Sequence, residues 1–111
     1  MNDVLFHLCR HCVGIMDGWM PFPAWCIAQQ CGVSISTARR RLRELKADGY
    51  ADTTVHYWDD QEEPLPPYHG WTITSKAQET PEYKAAWEEE KKICREVFGE
   101  DIQLVVKDGR R

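Results

Sequence analysis

One short segment of the chain combines hydroxyl and guanidinium side chains at close spacing: Ser34, Ser36, Thr37, Arg39, Arg40, Arg41 and Arg43. A guanidinium group can donate two parallel hydrogen bonds to O6 and N7 of guanine, and it also pairs with phosphate. Hydroxyl groups and the free N–H groups at a helix N-terminus donate to phosphate oxygens. These residue types therefore suit contact with double-stranded DNA.

The charge distribution supports the same chemistry, although the formal net charge of the 111 residues is -4. Residues 34–50 hold five basic and two acidic side chains, whereas the rest of the chain holds nine basic and sixteen acidic ones. Positive charge concentrated in one short segment creates a local field that attracts a polyanion. The acidic net charge therefore does not exclude a nucleic-acid partner.

These side chains act together only if the segment is a helix with two different faces. At about 100° per residue, one face carries the apolar side chains Ala38, Leu42 and Leu45. The opposite face carries Ser36, Arg40, Arg43 and Ala47. The spacing predicts a helix over 35–48 that is capped by Ser34 or Ser36 and ended by Gly49.

The position of each side chain on this helix predicts its contact. Arg40 and Arg43 point away from the apolar face, and we expect them at base edges in the major groove. Ser36 and Thr37 lie at the N-terminal end and are expected to make secondary contacts. We expect phosphate contacts from the residues at the edges of this face, Ser34, Arg39 and Arg41.

The elements around this segment predict an α+β fold. Apolar periodicity and helix-stop residues predict helices over 4–16, 23–31 and 35–48. β-Branched and aromatic residues predict strands over 53–58 and 71–74, joined by an exposed acidic loop over 59–70. A hydroxyl, a proline and a carboxylate at 80–82 start a further helix, 81–98. The chain thus divides into a domain of residues 1–79, a C-terminal helix at 80–99 and a tail at 100–111.

The central segment resembles the helix-turn-helix of bacterial and phage winged-helix transcription regulators. Three motifs carry the resemblance. The second helix opens with an apolar residue and alanine (Ile27-Ala28), and the turn is glycine, an apolar residue and serine (Gly32-Val33-Ser34). The recognition helix ends with leucine followed four residues later by glycine (Leu45 to Gly49). It covers residues 22–77, and Ala77 stands where the family usually has glycine. The resemblance implies a three-helix core with a β-hairpin wing, sequence-specific DNA binding by helix 35–48, and regulation of transcription by occupying an operator.

Two features leave an alternative function open. The 59–70 loop carries four carboxylates that would repel phosphate at the wing tip: Asp59, Asp60, Glu62 and Glu63. Helix 81–98 has an apolar stripe through Trp87, Ile93 and Val97, with Glu90 on the expected solvated side. This stripe either packs on the first helix of the same chain or forms a homodimer. The alternative is a protein-interaction module that uses the 59–70 loop and helix 81–98.

The remaining groups of polar and aromatic residues do not form a recognisable catalytic or metal-binding motif. No nucleophile and base set, glycine-rich phosphate loop or carboxylate pair stands out, so we expect no enzymatic activity. Six histidines and cysteines could supply zinc ligands, but their spacing matches no known zinc motif: His7, Cys9, His11, Cys12, Cys26 and Cys31. We therefore expect reduced thiols and no metal or other cofactor. We expect the hairpin aromatics to cover a small core or to pair across strands: Tyr57, Trp58, Tyr68, His69 and Trp71. Without an apolar run of membrane-spanning length or a secretory signal pattern, we expect a cytoplasmic protein.

Overall fold

Helices precede and follow a β-hairpin in the described part of the chain. The computed structural model describes residues 1–14, 20–58 and 65–98. Three helices come first, α1 (Asp3–Val13), α2 (Ala24–Cys31) and α3 (Ile35–Ala47). The antiparallel strands β1 (Ala51–His56) and β2 (Tyr68–Ile73) follow, and then a 3-10 helix (Ser75–Glu79) and α4 (Pro81–Phe98). The predicted α+β class is confirmed.

Local side-chain chemistry defines the ends of the leading helices. Asn2 caps α1 by accepting a hydrogen bond from the backbone N–H of Leu5. Gly32 ends α2 in the left-handed conformation (φ 67°, ψ 35°), which glycine adopts without a Cβ penalty. Ser34 then caps α3 by accepting a hydrogen bond from the N–H of Thr37 at 3.1 Å. A turn of only three residues therefore joins α2 to α3.

Several boundaries differ from those that the sequence predicts. Pro23 is expected in the first turn of α2, but its backbone is extended (φ -69°, ψ 150°) and α2 begins at Ala24. β1 begins at Ala51 instead of residue 53 and ends at His56 instead of residue 58. β2 begins at Tyr68 instead of residue 71. Strand ends follow from backbone pairing across the hairpin, which residue propensities do not report.

Phe22, between α1 and α2, ties the hairpin to the helices. β1 pairs with β2 along its whole length, starting from Ala51 opposite Ile73. On the other edge of β2, Phe22 and Trp71 exchange two backbone hydrogen bonds, with N–O distances of 3.0 and 2.9 Å. The segment before α2 thus serves as a very short third strand that holds the hairpin against the helical core.

The inner face of α3 forms part of the hydrophobic core. The largest fully buried side chains of this core are Leu8, Ile27, Leu42, Val4 and Val13. α3 itself contributes Ala38, Leu42 and Leu45, which are at most 5% exposed. Complete burial of one large aliphatic side chain contributes about 1.5–3 kcal/mol, so these contacts hold α3 at one rotation about its axis. Among the described helices, none has the length and apolar character that crossing a membrane would require.

Two buried carboxylates fasten α4 to α1, and the two helices run in the same direction. Glu82 accepts a hydrogen bond from the backbone N–H of Asn2 at 2.7 Å. Glu90 pairs with Arg10 at 2.9 Å, and Arg10 also donates to the carbonyl of Ala86. The expectation that Glu90 lies on the solvated side is wrong, since it is 6% exposed. The positive charge of Arg10 offsets part of the free-energy cost of burying the Glu90 carboxylate.

The apolar stripe of α4 has a covered and an uncovered part. Ala86, Trp87 and Cys94 are buried within the chain. Ile93 and Val97 are 40% and 66% exposed. Packing within the same chain therefore covers the stripe at Trp87 but leaves apolar surface near the C-terminal end of α4.

Replacing Gly70 by alanine should weaken the attachment of the hairpin. A Cβ at Gly70 would lie 2.7 Å from Cβ of Pro21 and 2.8 Å from the backbone nitrogen of Phe22, well inside van der Waals contact. We expect the free energy of unfolding, measured by urea denaturation, to fall by about 1–3 kcal/mol. As a control on the same strand, the exposed His69→Ala should change it by less than about 0.5 kcal/mol. Unchanged stability of Gly70→Ala would contradict this close approach.

Removing Arg10 should loosen α4, because the buried Glu90 would lose this ion pair and α1 its hydrogen bond to the Ala86 carbonyl. We expect Arg10→Met to lower the free energy of unfolding by about 3 kcal/mol in urea denaturation. The double variant Arg10→Met/Glu90→Leu removes both charges and should recover most of that loss. A double variant no more stable than Arg10→Met would show that the pair does not fasten α4.

Candidate nucleic-acid interface

Three hydroxyl groups gather at the N-terminus of α3. The Ser34 Oγ lies 3.0 Å from Thr37 Oγ1 and 3.2 Å from Ser36 Oγ, in addition to capping the helix. Ser34 and Ser36 are exposed, and Thr37 is half-buried. The sequence predicts that these three residues contact DNA phosphates or make secondary contacts. They lie together at the positive end of the helix dipole. That position favours an anion near their hydroxyl and N–H groups.

Four exposed guanidinium groups follow along α3, and we call them the arginine cluster: Arg39, Arg40, Arg41 and Arg43. Within residues 1–14, 20–58 and 65–98, the side chains of Arg39, Arg41 and Arg43 make no hydrogen bond or ion pair. Like charges on one helix repel one another, so the cluster raises the local positive potential. An approaching polyanion would relieve that repulsion.

Arg40 has an acidic neighbour one helical turn away. Its Nη1 lies 3.8 Å from Oε2 of Glu44, and the two side chains are 58% and 62% exposed. An exposed pair of this spacing contributes about 0.3–0.5 kcal/mol in water. The guanidinium of Arg40 is therefore free to exchange Glu44 for another partner.

The orientation of α3 in the core makes its arginines point to different sides of the helix. With Ala38 and Leu42 buried, helix geometry places Arg40 and Arg43 on the opposite, solvent-facing side. Arg41 lies nearer to the end of α2. Burial, followed by the charge of Asp3, raises the pKa of the Cys31 thiol, and the positive charge of Arg41 partly lowers it.

Two lysines that the sequence analysis does not assign hold the C-terminal end of α3 in place. Lys46 Nζ lies 3.4 Å from Oδ1 of Asp52 and 3.3 Å from Oγ1 of Thr53, both on β1. Lys76 Nζ donates to the carbonyl of Asp48 at 2.7 Å and lies 4.5 Å from the ring centroid of Tyr50. No spacing rule finds these pairs, because they form only when the hairpin folds back on α3.

The hairpin aromatics cover the core only in part. Trp71 packs against the core, one of the two expected roles, whereas Tyr57 is 65% exposed. His56 and Trp58 meet edge to face, with ring centroids 4.7 Å apart. The four loop carboxylates and the 100–111 tail lie outside the described residues: Asp59, Asp60, Glu62 and Glu63.

The cysteines and histidines are dispersed and engaged in other contacts. All five cysteines are thiols outside any disulfide, and Cys9 and Cys94 are buried. His11 stacks on Phe22 with ring centroids 4.2 Å apart, and its Nε2 hydrogen-bonds with the carbonyl of Met20. Among the residues that the structure describes, no three His, Cys, Asp or Glu side chains are close enough to hold a metal ion.

Cys9 should resist alkylation in the folded protein. Burial, with smaller effects of Cys12 and Glu82, raises the pKa of Cys9 to about 12. Since only the thiolate reacts, we expect iodoacetamide at pH 8 to modify the partly exposed Cys26 well before Cys9, as measured by peptide mass spectrometry. All five cysteines should react in guanidinium chloride. Alkylation of Cys9 as fast as Cys26 in the native state would contradict its burial.

Comparisons of the chain with protein-family models, with curated proteins and with solved structures give no match. The function is therefore inferred from the charge, exposure and packing of α3 and of the elements that hold it.

Proposed function

We propose that this protein binds double-stranded DNA through α3 and regulates transcription by occupying an operator. One observation carries the proposal: four exposed guanidinium groups lie on a helix whose other face is locked into the core. Only one of the four has an acidic partner among the described side chains, and that contact is weak. An exposed cluster of arginines on a fixed helix is the electrostatic footprint of a nucleic-acid-binding protein.

The proposed architecture is a winged helix-turn-helix of the bacterial or phage regulator type. Its support is the three-residue turn between α2 and α3, followed directly by the hairpin of β1 and β2. The bridge between Phe22 and Trp71 holds that hairpin beside the helices, where the proposed architecture requires a wing. In this architecture α3 is the recognition helix, and we propose a cytoplasmic location, where the DNA target is accessible.

The dimensions of α3 fit the major groove. Its 13 residues span about 20 Å, and the groove of B-DNA is about 12 Å wide and admits one α-helix. Arg40 and Arg43, on the side away from the core, would meet guanine O6 and N7. The remaining groups would contact the flanking phosphates and fix the register: Ser34, Ser36, Thr37, Arg39 and Arg41.

The exposed apolar end of α4 supports a homodimer as part of this proposal. Ile93 and Val97 would be covered if helix 81–98 paired with its copy across a two-fold axis. A dimer would present two copies of α3 to half-sites about one turn of DNA apart. The same exposed residues also favour the second candidate function, a protein-interaction module that binds another protein through α4 and the 59–70 loop.

The direct test is fluorescence anisotropy with a labelled duplex of mixed sequence at several salt concentrations. We expect binding that weakens steeply as salt rises, because arginines release counterions from phosphate. Arg40→Ala/Arg43→Ala should weaken binding at least about tenfold and reduce the salt dependence.

The matched control is Lys84→Ala/Lys92→Ala, which removes two exposed positive charges from α4. We expect it to bind DNA nearly as the unaltered protein does. Equal losses in the two double variants would mean that only net charge matters. No binding by the unaltered protein at low salt would refute the proposal and favour a protein partner.

A further inference from the structure

Glu44 is an acidic side chain placed beside the arginines that we assign to base edges. Taking the direction opposite the buried Ala38, Leu42 and Leu45 as the centre of the exposed face, Arg40 lies within about 15° of that centre. Arg43 and Glu44 lie about 50° to either side of it. The exposed face therefore presents a donor at its centre, a second donor on one flank and a carboxylate acceptor on the other.

The ion pair with Arg40 does not explain this carboxylate as a stabilising device. Both side chains are more than half exposed and 3.8 Å apart, so the pair contributes little to folding. Glu44 makes no other ion pair among the described residues, and the resolved hydrogen bonds of α3 do not depend on its side chain. The charge of Glu44 therefore matters mainly for the affinity of a partner that approaches the exposed face.

The effect of Glu44 on DNA depends on what lies opposite it. Facing a phosphate or an acceptor atom of a base, a carboxylate is repelled, and in the major groove these acceptors include guanine O6 and N7 and thymine O4. Facing an amino group, the same carboxylate accepts a hydrogen bond. Cytosine N4 and adenine N6 are the amino groups that the major groove offers.

Helix geometry relates this amino group to the base that Arg40 contacts. Residues 40 and 44 are about 6 Å apart along α3, and successive base pairs are about 3.4 Å apart. Because the two side chains already converge to 3.8 Å, they can reach the same base pair or adjacent ones. A guanine contacted by Arg40, with a cytosine or adenine amino group within one base pair of it, satisfies both.

We propose that Glu44 is a specificity-determining residue of α3, which accepts a hydrogen bond from a cytosine or adenine amino group beside the guanine bound by Arg40. This inference rests on the proposed function. Glu44 discriminates mainly by repulsion, since it weakens binding to every site that places an acceptor or a phosphate opposite it. Arg40 and Arg43 then supply affinity, and Glu44 restricts where that affinity can be used.

The test compares the unaltered protein with Glu44→Ala and Glu89→Ala. Glu89 is an exposed carboxylate on α4, so Glu89→Ala makes the same change in net charge away from α3. Selection from a library of randomised duplexes, followed by sequencing, gives the base preference at each position for all three proteins. Anisotropy with the selected duplex, and with a second duplex in which the selected cytosine or adenine is replaced by guanine or thymine, compares a base that offers Glu44 an amino group with one that offers it an acceptor.

We expect Glu44→Ala to lose the preference for cytosine or adenine at one position beside the selected guanine, and to keep the guanine. On the duplex that offers an acceptor, Glu44→Ala should bind about fivefold more tightly than the unaltered protein at low salt, the factor that repulsion from one unit charge at about 4 Å produces in water. Glu89→Ala should retain the full motif and change the affinity for that duplex by less than twofold.

Two results would overturn the inference while leaving DNA binding intact. One is a selected motif that is identical for Glu44→Ala and the unaltered protein. The other is an equal gain in affinity for the acceptor duplex by Glu44→Ala and Glu89→Ala, which would reduce the effect to net charge. If the unaltered protein selects no duplex at all, the proposed function fails and this inference fails with it. Circular dichroism of Glu44→Ala, expected to match the unaltered protein, separates these outcomes from misfolding.

Discussion

The burial of one face of α3 is the constraint on which the rest of the structure depends. Ala38, Leu42 and Leu45 lie in the core, and the 3.6-residue period of the helix then leaves Arg40 and Arg43 no direction other than solvent. Turning the helix to bury a guanidinium would expose aliphatic surface and leave a buried charge without a partner, both of which cost free energy. Hydrophobic burial therefore determines where the positive charge of this protein is displayed.

The elements around α3 restrict its position at both ends. The Ser34 cap begins the helix directly after the turn at Gly32. At the other end, Lys46 reaches Asp52 on β1, and Lys76 donates to the carbonyl of Asp48. Such contacts reduce the conformational entropy that would be lost on binding, because the exposed side chains start from a helix that is already oriented.

Several carboxylates of the described residues are buried or paired, so that they do not neutralise the positive charge of the arginine cluster. Glu82 and Glu90 are buried between α1 and α4, where a backbone N–H and Arg10 satisfy them, and Asp52 is paired with Lys46. Glu44 differs because it remains exposed on α3 itself, one turn from Arg40. An acidic net charge and a strongly positive local surface can therefore coexist in one small chain.

The sequence by itself determined the local features: the helix 35–48 to within one residue, its cap at Ser34 or Ser36, the Gly32 turn, and the division of α3 into an apolar and a basic face. These depend on periodicity and on contacts between residues close in the chain, which spacing reports directly. The structure selected Ser34 as the cap. Only the tertiary structure decided the strand ends, the bridge from Phe22 to Trp71, and the burial of Glu90 against Arg10. Those features join residues up to 80 positions apart, and their energies depend on which surfaces meet after the chain has folded.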